Sequence, residues 1–228
     1  MIKIEFNNKT NREFALVVQN LTRRKRAEER IERHTVEGRS GQIIDRLGTF
    51  ESYEREVTFA NFEKDKVRDI NKWLSGSGIL RTSVDPDGFF YADVIDVMER
   101  NPLGCCRNSM KVTFLVEPFF YLERGRHPIK TDKSISIYNL GTIYSEPVIK
   151  VYGTGTGRLS INNKIINLRN IENYVTIDSK LKITHKDNLP KGKDMAGEYP
   201  IFEEGRNYIS FSGGITKLEI VPYWRELW

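Results

Sequence analysis

The chain has 228 residues, 39% of them apolar and 29% charged, with 36 basic against 31 acidic side chains and a net charge of +5. No apolar run approaches the roughly 20 residues that a membrane-spanning helix needs, so no membrane anchor is expected, and the length suits one large β-rich domain or two ordinary ones. Charge this evenly mixed does not by itself point to nucleic acid or to an anionic surface.

A first strand opens at once, with Ile2, Ile4 and Phe6 alternating with polar residues in a pattern that runs to about Leu21. Such an opening reads as a strand and not as a signal peptide. Residues 22 to 34, TRRKRAEERIERH, have helix propensity but almost no apolar face, which fits either an exposed helix or a solvated hairpin arm. Arg23, Arg24 and Arg26 suit phosphates, yet Glu28, Glu29 and Glu32 follow closely and neutralise the local field. A salt-linked arm is therefore favoured over a DNA contact. Gly38 and Gly41 mark a turn, and Tyr53 to Phe59 alternate like a strand again.

A helix is expected next: Asn61 caps it, Glu63 and Asp65 suit its first turn, and Val67, Ile70 and Leu74 recur at helical spacing beside Trp73. Gly76 and Gly78 end it. Asp85-Pro86-Asp87-Gly88 carries the residues that a type I turn prefers, between two strands, and Asn101-Pro102-Leu103-Gly104 turns the chain once more. The next strand ends near Pro118, which belongs at an edge or an end. Cys105 and Cys106 are the only cysteines; as neighbours they bridge only with strain, so they read as free thiols from a reducing cytosol.

Residues 124 to 134 are polar and aperiodic, which places a domain boundary there and divides the chain into 1–130 and 131–228. Beyond it the short strands IKVY, RLSIN, KIINL, YVTID, KLKITH, NYISFSG and KLEIVPYW follow one another with Gly or Asn turns, as in a β-sandwich. The glycine-rich stretch YGTGTGRLSI at 152 to 161 raises the question of a phosphate loop. That loop needs a helix after it to supply free amides, whereas the residues here alternate as a strand and no Gly-Lys-Ser/Thr follows, so a hairpin turn is expected.

No chemistry-bearing constellation emerges. Asp85 and Asp87 lack the further acidic ligands of a calcium loop, His34, His127 and His185 stand at no metal spacing, and no Ser or Cys occupies a nucleophile elbow. No catalytic, cofactor-binding or metal residue is assigned, no cofactor is expected, and the chain does not read as an enzyme. Tyr223, Trp224 and Trp228 suit either a stacking platform for sugars or bases or the packing of a chain end.

In order along the chain, VEGRSG at 36 to 41, INKWL, DPDGFFYADV, FLVEPFFY at 114 to 121, NLGTIYSEPVIKVYGTGTGRLSINN, YVTIDS at 174 to 179, GEYPIFEEGRNYISFSGG and LEIVPYW resemble the distal tail protein (Dit) family of long-tailed phages infecting Gram-positive bacteria. The resemblance implies a mainly β protein of two domains, an N-terminal ring-forming β domain with one α-helix and a C-terminal galectin-like β-sandwich. It implies a homo-hexameric ring at the distal end of the virion tail, assembled in the host cytoplasm. The tail tube or tail terminus lies above, the tail-associated hub or lysin protein lies below, and DNA passes through the channel without specific binding. In some relatives the second domain holds receptor-binding proteins. Arg23, Arg24, Arg26, Gly38 and Gly41 are the candidate ring contacts. The competing reading is a carbohydrate-binding β-sandwich module for host adhesion.

Overall fold

In the computed structural model, residues 1–60, 64–100 and 109–228 are described, and the chain divides into two compact units. One is Met1–Phe120 with Leu227–Trp228, and the other is Tyr121–Glu226.

The first unit holds β1 (Ile4–Phe6), β2 (Lys9–Thr10), β3 (Val17–Leu21), β4 (Glu29–Thr35), β5 (Gln42–Phe50), β6 (Tyr53–Ala60), β7 (Ser77–Thr82), β8 (Asp85–Arg100) and β9 (Ser109–Val116). Seven of them form one antiparallel sheet in the order β2-β1-β7-β8-β9-β6-β3, while β4 and β5 pair only with each other. The alternation seen in the sequence gives this sheet its buried face. Ile4, Phe6, Val57, Phe59, Leu80, Val112 and Phe114 are all fully buried, and Phe6 meets Phe114 edge-on at 5.4 Å.

The helix α1 (Val67–Trp73) buries Ile70 and Trp73, as its spacing predicts, with Leu74 buried just after it. The Trp73 indole N–H donates to the Phe6 carbonyl at 2.9 Å and its ring stacks on Phe14 at 4.9 Å, so one residue fixes the helix to β1. A short 3-10 turn, Lys64–Lys66, precedes α1, so Asp65 falls in that turn; the expected cap Asn61 and Glu63 lie outside the described residues. So do the expected Asn101–Gly104 turn and the Cys105 and Cys106 pair.

The Asp85–Gly88 turn is not formed. Thr82 pairs with Asp85, so the hairpin connection is Ser83-Val84, and Asp85 to Gly88 begin the strand β8. The reason lies in the partners of Asp85. Its carboxylate accepts from the Arg55 guanidinium at 2.8 Å and from the Thr82 hydroxyl at 3.0 Å, and these bonds hold it against the sheet instead of closing a turn around itself.

The second unit is reached through β10 (Phe120–Leu122) and contains β11 (Ile129–Thr131), β12 (Ile135–Asn139), β13 (Val148–Ile161), β14 (Lys164–Asp178), β15 (Ile183–Lys186), β16 (Leu189–Pro190), β17 (Met195–Ala196), β18 (Gly205–Val221) and β19 (Arg225–Glu226). Its sheet runs β11-β18-β13-β14-β15-β16, with β12 also on β18 and β17 also on β14. The sequence breaks this region into shorter strands than the structure has. IKVY and RLSIN are one strand, β13; KIINL and YVTID are one strand, β14; and NYISFSG and KLEIVPYW share β18.

The glycine-rich stretch is accordingly neither a phosphate loop nor a hairpin turn: it is the middle of β13. The turn sits at Asn162-Asn163, between the paired Ile161 and Lys164, where both asparagines take positive φ. At Gly153 to Gly157 the register of β13 slips against both neighbours, and β14 answers with Asn170 and Asn173 at positive φ of 51° and 67°. Glycine is required there by distance. A Cβ on Gly153 would lie 2.0 Å from the Gly214 carbonyl oxygen, and one on Gly214 would lie 1.8 Å from that of Thr154. Only bare backbone lets β13 and β18 approach through the bend. Ile149 and Val151 before it and Leu159 and Ile161 after it line the same buried cluster, so the bent sheet curls around its own core.

Candidate functional site

The segment outside both sheets is the ribbon of β4 and β5, which pairs from Glu29 with Phe50 to Thr35 with Gln42. Residues 22 to 34 are thus not a helix: Glu29 to His34 are one strand of a hairpin arm, and residues 22 to 28 lead into it without regular structure. Their helix propensity, a weak local preference, gives way to pairing with β5. Gly38 and Gly41 close the tip at φ of 79° and 87°, left-handed values that glycine adopts without strain, as the turn expected there requires.

The arm's charges are largely satisfied within it. Glu29 pairs with Arg46, Arg30 with Glu51 at 3.7 Å, and His34 lies 3.4 Å from Asp45 and 3.6 Å from Glu32. Its apolar residues are not. Ile43, Ile44 and Leu47 are 37%, 52% and 50% exposed, and because Ile43 and Ile44 are neighbours on one strand they occupy opposite faces of the ribbon. A two-stranded ribbon with water on both faces has no core and is marginal by itself.

The root of the arm is held more firmly. Thr22 donates its N–H to the Glu56 carbonyl at 2.9 Å and accepts from Arg55 Nε at 3.1 Å, Ala27 is buried, and the Glu28 carbonyl accepts from the Glu51 N–H. The Arg24 guanidinium lies 4.2 Å from the Phe120 ring centre and 4.6 Å from that of Trp228. Arg55, 1% exposed, lies beneath, ion-paired to Asp85 and 5.2 Å from the Phe90 ring centre. Burial pushes the Tyr53 phenol above its ordinary pKa, and the positive charges of Arg55 and Arg24 offset part of that rise.

The five candidate contact residues therefore fall in two places. Gly38 and Gly41 are at the exposed tip, with no other atom close to where a Cβ would stand; Arg23 and Arg26 are exposed at the root, where Arg24 is stacked on rings of its own unit. Sequence reading passed over Ile43, Ile44 and Leu47, although the run QIIDRL directly after a glycine turn in an otherwise charged segment was the available signal.

The aromatic platform considered for sugars does not exist as a platform. Trp224 is 3% exposed and packs on Phe202 at 5.6 Å, Tyr223 is half-buried, and Trp228 has Arg24 over its ring. Among the described residues, no three His, Cys, Asp or Glu side chains gather as metal ligands would.

No protein-family model matches this sequence, and no curated protein sequence matches it. In three dimensions the chain is similar to the crystal structure of SPP1 Dit, gp 19.1, described as a paradigm of the hub adsorption apparatus in phages infecting Gram-positive bacteria. The TM-score is 0.76 at 12% sequence identity, over 96% of this chain and 98% of that one. A likeness at that identity is one of fold, and its coverage leaves neither unit of this chain outside it. The chain therefore has the distal tail protein (Dit) fold, mainly β with one α-helix among the described residues.

Proposed function

We propose that the chain is a structural protein of a long-tailed phage virion and forms the ring at the distal end of the tail. The observation that carries this is the fold match along nearly the whole chain to a phage hub protein. In this reading residues 1–130 are the ring-forming domain and residues 131–228 a galectin-like sandwich that faces other tail-tip proteins. Six copies join the tail tube or terminus above to the tail-associated hub or lysin protein below, and DNA passes through the channel without specific binding. Some relatives hold receptor-binding proteins through an arm or an inserted module in the second domain, for which this sandwich has little room; assembly takes place in the host cytoplasm. The protein works through surfaces and performs no catalysis.

The arm supports the reading. A closed ring needs two different patches on each copy, related by a rotation of about 60°. An exposed ribbon with aliphatic side chains on both faces suits one patch, because a neighbour laid on one face would cover Ile43 and one laid on the other would cover Ile44. Exposed ion pairs contribute under about 1 kcal/mol each, so apolar contact and main-chain pairing would carry most of the interface.

Light scattering tests it, on the protein alone and mixed with its hub partner. Six copies of the 26.5 kDa chain make roughly 160 kDa. That mass is expected for the wild type, and the monomer mass for an Ile44→Asp/Leu47→Asp variant whose far-ultraviolet circular dichroism is unchanged. A wild-type monomer in both settings, or a variant that still forms the ring, would overturn the reading.

A further inference from the structure

The second unit carries a surface to which the ring reading gives no role of its own: the outward face of the sheet on the far side of the bend. Because strand side chains alternate, that face is set by register. Ser136 and Tyr138 of β12 lie opposite Tyr208 and Arg206 of β18; Ser210 and Ser212 of β18 lie opposite Ser160 and Arg158 of β13; and these lie opposite Ile165 and Asn167 of β14. Four neighbouring strands at about 4.8 Å spacing make the face roughly 15 Å across.

Its chemistry differs from the rest of the chain. Tyr138 and Tyr208 are 64% and 59% exposed, and as diagonal neighbours on adjacent strands their rings can act together. Four serines lie among them. Beside the bend the face falls into a hollow of about 340 Å³ lined by Arg158, Asn167, Arg169 and Gly213 among others. Among the described residues, the side chains of Arg158, Arg169 and Arg206 have no ion pair, and those of Tyr138, Tyr208, the four serines and Asn167 have no hydrogen bond. In a chain where 29% of residues are charged, none of the outward strand positions just named is acidic or lysine.

We propose that this face binds an anionic polyhydroxylated polymer, a chain of polyol units joined by phosphodiesters. Each part of the face has a role in that. Guanidinium groups take phosphates through paired N–H bonds, and none of the strand positions named above carries an opposing carboxylate. Exposed tyrosine rings present flat apolar surface to the C–H faces of the units, and the serine and asparagine side chains exchange hydrogen bonds with hydroxyls.

Two other occupants fit less well. A protein interface has an apolar centre, and here Ile165 is the one aliphatic side chain at the named positions. Nucleic acid is held chiefly by neutralised phosphates, and three arginines without a lysine are few for that. The shape, a shallow face and not an enclosed cavity, favours a chain over a small molecule. The proposal concerns the second unit alone and does not depend on the ring, so a monomer would carry the same face.

The test is surface plasmon resonance of the full-length protein over immobilised poly(glycerol phosphate), with neutral dextran and a single-stranded oligonucleotide of equal phosphate number as parallel surfaces. Saturable binding is expected to poly(glycerol phosphate), weaker by at least about tenfold on each parallel surface. Tyr138→Ala/Tyr208→Ala should lose about tenfold or more in affinity, and Arg158→Gln/Arg206→Gln should lose affinity and flatten its dependence on salt. All the substituted residues point outward, so the melting temperatures should match the wild type. Absence of binding at millimolar phosphate, or binding that neither double variant weakens, would overturn the proposal. Equal binding to the oligonucleotide would assign the face to nucleic acid, and equal binding to dextran would remove the role given to the arginines.

Discussion

Replacing Gly214 with alanine puts the bend of the second unit to a direct test. The added methyl carbon would stand 1.8 Å from the Thr154 carbonyl oxygen and 3.0 Å from that of Thr156. Ordinary contact begins near 3.4 Å, so β13 and β18 would have to part by about 1.5 Å, and the obstacle is backbone and not the end of a flexible side chain. A separation of that size stretches the neighbouring N–H···O bonds beyond hydrogen-bonding range. Losing two of them at about 1 kcal/mol each, with a further 1 kcal/mol or more of overpacking strain, gives a destabilisation of about 3 kcal/mol. For a cooperative unit near 100 residues that corresponds to a fall in melting temperature of about 12 to 24 °C. Scanning calorimetry of the full chain reads it, and hydrogen exchange should place the loss in β13 and β18 while α1 and β6 stay protected. A fall of under about 3 °C would refute the argument that bare backbone is required at this crossing.

Three further outcomes rest on single buried side chains. Arg55→Met leaves the Asp85 carboxylate, only 13% exposed, without its partner; urea unfolding should show a loss of about 3 to 5 kcal/mol, and Arg55→Met/Asp85→Leu should recover part of it. Tyr53, whose folded pKa is raised by burial, keeps its proton when the unfolded chain loses it, so stability should fall as pH rises above 10.0, and the wild-type curve should be steeper there than that of Tyr53→Phe. Parallel curves would show that Tyr53 is not shielded from water. Trp224→Ala empties a packed site and should cost about 3 to 5 kcal/mol in the same urea assay; a variant as stable as the wild type would show that the ring is not core.

The alternation of apolar residues located most of the strands that build the two buried faces, because a half-buried strand imposes a period of two on its own sequence, but it passed over the exposed ribbon strand β5, the sheet strand β12 and the two- and three-residue strands β10, β11, β16, β17 and β19. It misjudged where strands end. Gly153, Gly155 and Gly157 carry the same local signal whether the chain reverses or merely bends, and the deciding fact, the carbonyl of Gly214 pressed against Gly153, lies some sixty residues away. Asp85 is a similar case: four residues of turn chemistry were outweighed by Arg55, thirty positions earlier. For residues 22 to 34, helix and hairpin stood level in the sequence because only the partner strand β5 decides between them. The candidate surface was legible at its tip, through two glycines that had to turn, and illegible at its root, where Arg24 meets rings from three separate segments.

The bent strands also govern the order in which the second unit is made. β13 and β14 join through two residues and can zip up as soon as Asp178 has left the ribosome, but the other edge of β13 takes β18, whose first residue is Gly205. While the intervening residues are synthesised, that edge offers a row of unpaired amides and carbonyls, the bend included. An open edge of this kind pairs with any compatible strand, and the nearest one on a crowded polysome is the β18 of another copy. The glycines that let β18 seat so closely in its own chain would admit a neighbour's just as readily. Slow translation past residue 178 thus favours exchange of strands between nascent chains, and synthesis that soon delivers Gly205 to Val221 protects each copy from its siblings.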